Sequence, residues 1–148
     1  MRSNTAFART FLDESPESIL TTVKFFETGV DEQSGIIMKN TKDQMVVMAL
    51  SMRAKQPKRD VVSGTKGYVE INHYPRATEA DITYTASAHE EKHDKITAGD
   101  SDKALEYEVQ DIDQGHDDGQ LQMSHDIAHI LTSVRTSWGM KYPFDDEK

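Results

Sequence analysis

MVVMALSMR at residues 45–53 and DVVSGTKGYVEINHY at residues 60–74 decide the fold of this chain. The first segment has the composition of a long apolar strand. β-Branched and aromatic residues on both sides of the SGTKG sequence predict two further strands. Gly64 and Gly67 flank two polar residues, and either can adopt the positive φ that a tight turn requires. We therefore predict a hairpin here, at the centre of a β-sheet.

The GTKG turn has a second interpretation as a nucleic-acid clamp. Residues 64–67 match the Gly-x-x-Gly loop by which KH domains hold a nucleic-acid backbone. That loop lies between helices, whereas the flanks here are predicted strands, and the chain carries a net charge of −9. A Walker phosphate loop needs Gly, four residues and then Gly-Lys-Ser/Thr, a spacing that this turn lacks. The sequence therefore argues against a nucleic-acid partner.

Length and composition limit the class of protein. A chain of 148 residues is the size of one ordinary domain. It has no cysteine, which excludes disulfides, thiolate metal sites and a Cys nucleophile and fits a reducing compartment. No apolar run follows Met1, and none approaches the ~18 residues of a membrane span. We expect a single-domain cytoplasmic protein with no membrane partner.

The remaining patterns predict a mostly antiparallel sheet. A short helix is predicted at residues 5–12. Strands are predicted at residues 18–28, 33–39, 44–53, 60–63, 67–73 and 81–85, with a weak edge strand at 95–97. Residues 88–94 are highly charged and are interpreted as a solvated hairpin end. Residues 102–109 fit a helical turn or a strand, and the alternation of Leu105, Tyr107 and Val109 favours a strand.

The strongest periodic signal is a helix near the end of the chain. Its apolar residues fall at helical spacing on one face, and Gly139 follows as a stop signal. These residues are Met123, Ile127, Ile130, Leu131, Val134 and Trp138. The predicted fold class is α+β: an open, mostly antiparallel β-sheet of about six strands with helices on one face.

One face of this sheet has no predicted cover. Phe25 adjoins Phe26, and residues 46–50 are apolar without a break, so two strands present apolar side chains at both parities. A strand that is apolar on both sides is usually buried on both sides. One helix from each end of the chain covers only one face, so we expect a partner on the other, either a second subunit or a separate domain. The predicted dimer face comprises Val46, Val47, Met48 and Ala49.

A basic connection separates the two opening segments. Arg53, Lys55, Lys58 and Arg59 lie close together in an otherwise acidic chain. Two interpretations remain open: a solvated loop, or a contact with a small anion, a substrate hydroxyl or a partner.

Two patterns resemble metal sites. His125 and His129 have the i, i+4 spacing of helical metal ligands, but a zinc protease has Glu directly after the first His, where this chain has Asp126. The pair lies off the apolar stripe, which favours a solvated helix face.

Residues 111–118 resemble the start of a calcium loop, but the fifth, sixth and twelfth positions of that loop are Gly115, His116 and Gln122 instead of an oxygen ligand, Gly and Glu. No metal site and no catalytic centre is predicted, since no Ser-His-Asp arrangement and no Gly-x-Gly-x-x-Gly after a strand occurs.

Three blocks carry a family resemblance. They are FFETGVDEQSG at residues 25–35, SGTKGYVEI at 63–71 and SVRTSWGMKYPF at 133–144. In this order they resemble the C-terminal domain of the Gfo/Idh/MocA oxidoreductases, most closely the dihydrodiol-dehydrogenase-like branch. The resemblance runs from about residue 6 to residue 144.

The resemblance implies a substrate-side domain. Family members hold NAD or NADP in an N-terminal Rossmann domain, and their C-terminal open sheet walls the substrate pocket and pairs subunits. The implied activity is hydride transfer between the nicotinamide cofactor and a sugar, polyol or diol. The implied partner is a second copy through the sheet face, or a separate Rossmann domain.

The chain also departs from the family. Neither the Rossmann fingerprint nor the Glu-Lys-Pro motif occurs in it. No catalytic or cofactor-binding residue is therefore carried over, and this chain alone is expected to bind no cofactor and to be inactive. The alternative is a stand-alone interaction or small-ligand-binding protein built on the same sheet.

Overall fold

A computed structural model describes residues 1–87, 90–113 and 120–142 of the chain. These residues form antiparallel sheets and α-helices, which confirms the α+β class. The elements in chain order are α1 (Arg2–Thr10), β1 (Ser18–Phe25), β2 (Asp31–Lys39), β3 (Met45–Ser51), β4 (Arg59–Gly64), β5 (Gly67–Asn72), β6 (Glu79–Ser87), β7 (Glu90–Thr97), a 3₁₀ turn (Ser101–Lys103), α2 (Ala104–Asp113) and α3 (Gln120–Ser137).

The strands form two hydrogen-bonded sheets, where one sheet of about six strands was predicted. One sheet has the order β1-β2-β3 and the other the order β4-β5-β6-β7, and every pair of neighbours is antiparallel. The break falls at the basic connection, between the end of β3 and the start of β4. The chain divides there into two compact units. The first comprises residues 1–56 with 120–142, and the second comprises 57–87 with 90–113.

The first unit buries one face of its sheet under α1 and α3. Ile36 and Met38 of β2, Met48 of β3 and Ala8 of α1 belong to one buried cluster, with Ile130 and Val134 of α3. In β2, side chains alternate between buried and accessible positions, the period-2 signature of a sheet covered on one side. Fully burying an Ile or Met side chain contributes roughly 1.5–3 kcal/mol, so this cluster holds the three-stranded sheet to its helices.

The end of α3 is fixed by a glycine cap. Gly139 has φ +66°, its N–H donates to the carbonyl of Thr136 (3.0 Å), and the N–H of Met140 donates to that of Arg135 (3.2 Å). These are the two hydrogen bonds of a Schellman motif, so the predicted stop at Gly139 is confirmed. Trp138, the last apolar residue of the predicted stripe, donates its Nε1–H to the Thr21 hydroxyl on β1 (3.0 Å).

The second unit is a four-stranded meander that begins with the predicted hairpin. Gly64 pairs with Gly67, so Thr65 and Lys66 form a two-residue turn. Gly67 has φ +150°, and a Cβ there would overlap the carbonyl oxygen of Thr83 and lie 3.0 Å from its carbonyl carbon. The glycine is therefore required for close approach of β5 to β6 as much as for the turn.

Two local predictions were wrong in this unit. Residues 104–113 form helix α2, and the alternating Leu105, Tyr107 and Val109 are all exposed, so no sheet face uses their alternation. The turn that leads into it begins at Asp100, whose side chain accepts the N–H of Asp102 (3.0 Å). The charged run from residue 90 belongs to strand β7 and is not a hairpin end, because pairing with β6 uses backbone groups and needs no apolar side chains. His89 and the calcium-like residues 114–118 lie outside the described residues.

Candidate functional site: the open face of the first sheet

A row of apolar side chains crosses the uncovered face of the first sheet. Leu20, Ile37 and Val47 are directly opposite one another on β1, β2 and β3. Their side chains are 65%, 40% and 70% exposed, and Met45 beside them is exposed as well. Contiguous exposed apolar groups of this kind mark contact surfaces on soluble proteins. We call this set the open-face row.

A shallow hollow adjoins the open-face row. Thr22, Gly35 and Ala49 are the next directly opposed set, and the missing side chain of Gly35 leaves the sheet surface low between two small neighbours. The hollow has a volume of about 370 Å³ and is bordered by polar residues, among them Lys24 and Ser51. The open face is therefore apolar at one end and polar at the other.

The predicted dimer-face residues separate by parity. Val47 and Ala49 lie on the open face, whereas Met48 is buried in the core and Val46 packs against it. The unbroken apolar run of β3 thus serves two surfaces, one inside the unit and one outside. The proposed contact role of Val47 and Ala49 stays a prediction, and Val46 and Met48 act on this surface only through the strand that they anchor.

A buried carboxylate forms ion pairs at the polar end of the same sheet. Glu32 is buried, and its oxygens lie 2.7 Å from Lys24 Nζ and 3.9 Å from an Arg53 guanidinium nitrogen. The Arg53 guanidinium also lies over the Phe26 ring, 5.7 Å from its centre. A buried carboxylate is costly unless it is paired, so Arg53 has a structural task beside its predicted contact role.

The four predicted basic contact residues are divided between the two units. Arg53 and Lys55 belong to the first unit, and Lys58 and Arg59 belong to the second. Lys55 and Lys58 are exposed, while Arg59 forms an ion pair with Glu70 on the neighbouring strand (3.6 Å). Their contact with a substrate or partner stays a prediction.

A groove on the helical side of the first unit was missed by sequence reasoning. It has a volume of about 420 Å³ and lies between α3 and the segment that leads into β1. His125 and His129 lie on its helical wall and Ser15, Pro16 and Glu17 on the opposite one. The helical period predicts that His125 and His129 lie on the same side of α3, but only the fold shows which residues lie opposite them.

Asp126 fastens the two walls of this groove. Its Oδ2 accepts from Arg9 Nε on α1 and from the Ser15 hydroxyl, and its Oδ1 accepts from Gln122 Nε2, each at 2.9 Å. Burial is the largest single influence and acts to raise the pKa of Asp126, but the hydrogen bonds from Gln122, Ser15 and Arg9 together outweigh it and hold the pKa below its usual value. Asp126 is therefore an ionised structural link.

One further carboxyl group is perturbed, in the second unit. The Oδ2 atom of Asp60 is buried without a hydrogen-bond partner in the described part of the chain, and burial raises the pKa of Asp60. Burial and, next to it, the charge of Asp60 raise the pKa of Tyr74. These two side chains by themselves form no recognisable catalytic set.

Neither a three-ligand metal cluster nor a membrane helix is found in residues 1–87, 90–113 and 120–142. No three His, Cys, Asp or Glu side chains converge in a way that would hold a metal ion there. Within the same ranges, each helix is too short or too polar to cross a bilayer.

Comparison with known proteins gives one partial relationship. No protein-family model matches the chain. A segment of 61 residues is 33% identical to trans-1,2-dihydrobenzene-1,2-diol dehydrogenase of Xenopus laevis. The match covers 41% of this chain and 18% of that enzyme, so it corresponds to a small part of the enzyme's length. It shows that part of the chain is distantly related to an oxidoreductase.

Proposed function

We propose that this chain is the substrate-side and dimerisation domain of an NAD(P)-dependent oxidoreductase that acts on sugars, polyols or diols, as in the C-terminal domain of the Gfo/Idh/MocA family. The single observation that carries the proposal is the open-face row, which lies on a sheet covered by helices on its other side. The partial similarity to a diol dehydrogenase supports the proposed relation to an oxidoreductase.

The open-face row supports pairing through this surface. Complete burial of a Leu, Ile or Val side chain contributes roughly 1.5–3 kcal/mol, and three such side chains lie side by side here. A second copy presents the same row, so a two-fold axis near Ile37 would bury both rows at once. The partner that we propose is therefore a second copy of this chain, with a Rossmann domain as the companion that completes the enzyme.

Among the residues that the structure describes, the glycine turn at 64–67 does not fit a nicotinamide dinucleotide. Rossmann domains bind the pyrophosphate where a glycine-rich turn joins a strand to a helix N-terminus. The turn at residues 64–67 instead joins two antiparallel strands, β4 and β5, and so presents no helix N-terminus. We assign no cofactor contact and no hydride-transfer step to this chain; NAD or NADP would be held by the companion domain.

The test is a fluorescence titration of the purified chain with NADH and NADPH. We expect no binding at micromolar concentrations, together with a dimer in sedimentation velocity. Micromolar binding of either nucleotide by this chain alone would overturn the assignment of the cofactor to a companion domain. A monomer at all accessible concentrations would overturn the pairing role.

The second candidate is a stand-alone interaction or ligand-binding protein. It is favoured by the first unit's own closed core, which buries Ile36, Met38 and Val134 almost completely with helices of this chain. Co-expression separates the two candidates. Aggregation that is relieved by a Rossmann half from a diol dehydrogenase supports the oxidoreductase domain, whereas a stable dimer with no affinity for that half supports the second candidate.

A further inference from the structure

The groove beside α3 presents two imidazoles without protein partners. His125 and His129 are both exposed, and neither ring makes a hydrogen bond or an ion pair within the described part of the chain. Residues four apart on a helix have Cβ atoms about 5–6 Å from each other on one side of the cylinder. Both rings can therefore turn their nitrogens toward one point in the groove without breaking an existing interaction.

The neighbouring carboxylate is not a competing or third ligand. Both oxygens of Asp126 are occupied by hydrogen bonds from Arg9, Ser15 and Gln122. These bonds instead hold α3 against the segment that contains Ser15. The wall opposite the two histidines is thereby fixed in place, which distinguishes this pair from one on an isolated surface helix.

The charge of the groove favours a positively charged ligand. Glu17 lines the wall opposite the histidines, and the chain as a whole carries a net charge of −9. A carboxylate across the groove attracts a cation and disfavours an anion. Neutral imidazole is a preferred ligand of Zn²⁺, Ni²⁺ and Cu²⁺, whereas Mg²⁺ and Ca²⁺ prefer oxygen ligands.

We propose that His125 and His129 bind one divalent transition-metal ion, of the class of Zn²⁺, Ni²⁺ and Cu²⁺, in the groove between α3 and the segment leading into β1. The protein supplies two ligands, since no set of three converges among the described residues. Water or an external ligand completes the coordination, and Glu17 contributes as a nearby charge. The inference is independent of the proposed oxidoreductase role.

The experiment is isothermal titration of the whole chain with NiCl₂ and with ZnCl₂. The variants are His125→Gln and His129→Gln, with Ser133→Ala as the matched control, because Ser133 lines the same groove one helical turn beyond His129. We expect one equivalent of micromolar binding, weakened at least about tenfold in either histidine variant and unchanged in the control. Glu17→Gln should weaken binding by less than either histidine change.

Nuclear magnetic resonance with Ni²⁺ gives an independent readout. At one equivalent, paramagnetic broadening should begin at the two imidazole signals of His125 and His129. All variants are checked by circular dichroism, and exposed histidines tolerate Gln without loss of the fold. Binding that first requires millimolar metal, or micromolar binding that survives both histidine substitutions, would overturn the proposal.

Discussion

Arg9 of the first helix donates its Nε–H to the carboxylate of Asp126 on the last helix, 2.9 Å away and 117 residues later in the chain. The Arg9 guanidinium also donates to the carbonyl of Leu12 (2.7 Å). The contact joins α1 to α3 and closes the helical layer over the first sheet. Both side chains are largely buried, so the pair lies where a lost partner leaves an unsatisfied charge.

Replacing Asp126 with Asn should lower the free energy of unfolding by about 1.5–3 kcal/mol at pH 7, the range for hydrogen bonds to a charged group. The folded-state pKa of Asp126 is depressed, so its contribution is present above the unfolded value of about 3.9 and is lost as the pH falls through the lower folded value. Urea unfolding from pH 7 to pH 2.5 measures both effects. Asp13→Asn is the control, because its ion pair with Lys42 is exposed. Equal effects of the two changes would contradict the prediction.

Gly67→Ala should destabilise the second unit by at least about 1–3 kcal/mol. The added Cβ overlaps the Thr83 carbonyl, and alanine rarely adopts φ +150°. Gly64→Ala is a matched control from the same turn, since its Cβ would meet only the Gly67 carbonyl oxygen at an ordinary 3.7 Å. Hydrogen exchange of β5 and β6 amides reports the difference. Similar protection in both variants would show that the close approach of β5 to β6 is not what requires glycine.

Val47→Lys should abolish self-association without unfolding the chain, because Val47 is 70% exposed on the open face. Met48→Lys, one residue later, places a charge in the core and should unfold the first unit, with a loss of several kcal/mol. Sedimentation velocity and circular dichroism of both variants separate association from folding. If Val47→Lys leaves the oligomer intact, the open-face row is not the pairing surface.

Asp60→Asn should raise the free energy of unfolding at pH 7 by up to about 1 kcal/mol, because it removes a charge whose Oδ2 is buried without a partner. The folded pKa of Asp60 is raised, so the carboxyl favours the folded state below the unfolded value of about 3.9 and loses that contribution as the pH rises through the folded value. The advantage of Asn should therefore shrink on acidification. Asp81→Asn, at an exposed position of the same sheet, should show no such trend.

Most local elements of this fold are predictable from the sequence because their signals are local. The hairpin at Gly64 and Gly67 and the helix stop at Gly139 follow from backbone conformations that other residues adopt at a cost. The apolar stripe of α3 follows from helical period. The same reasoning fails at residues 104–113. The alternation of Leu105, Tyr107 and Val109 predicts a strand only where a sheet face buries these side chains, and here all three are exposed.

The candidate sites were less predictable, because each depends on residues far apart in the chain. The run at residues 46–49 indicates two-sided burial, but it does not say which parity faces the helices. The burial of Met48 in the core cluster with α1 and α3, together with the exposure of Val47, settles that parity. The groove at His125 and His129 has its second wall in the segment around Glu17, more than a hundred residues earlier in the chain.

The sequence by itself determined the α+β class, the antiparallel pairing, the glycine turn and the final helix, because these depend on hydrophobic period and on residue-specific backbone freedom. Only the tertiary structure decided that the strands form two sheets, that Val47 faces outward while Met48 faces the core, and that Asp126 holds Arg9 and Ser15. Those outcomes depend on which side chains meet, and packing between distant segments has no signal in a single stretch of sequence.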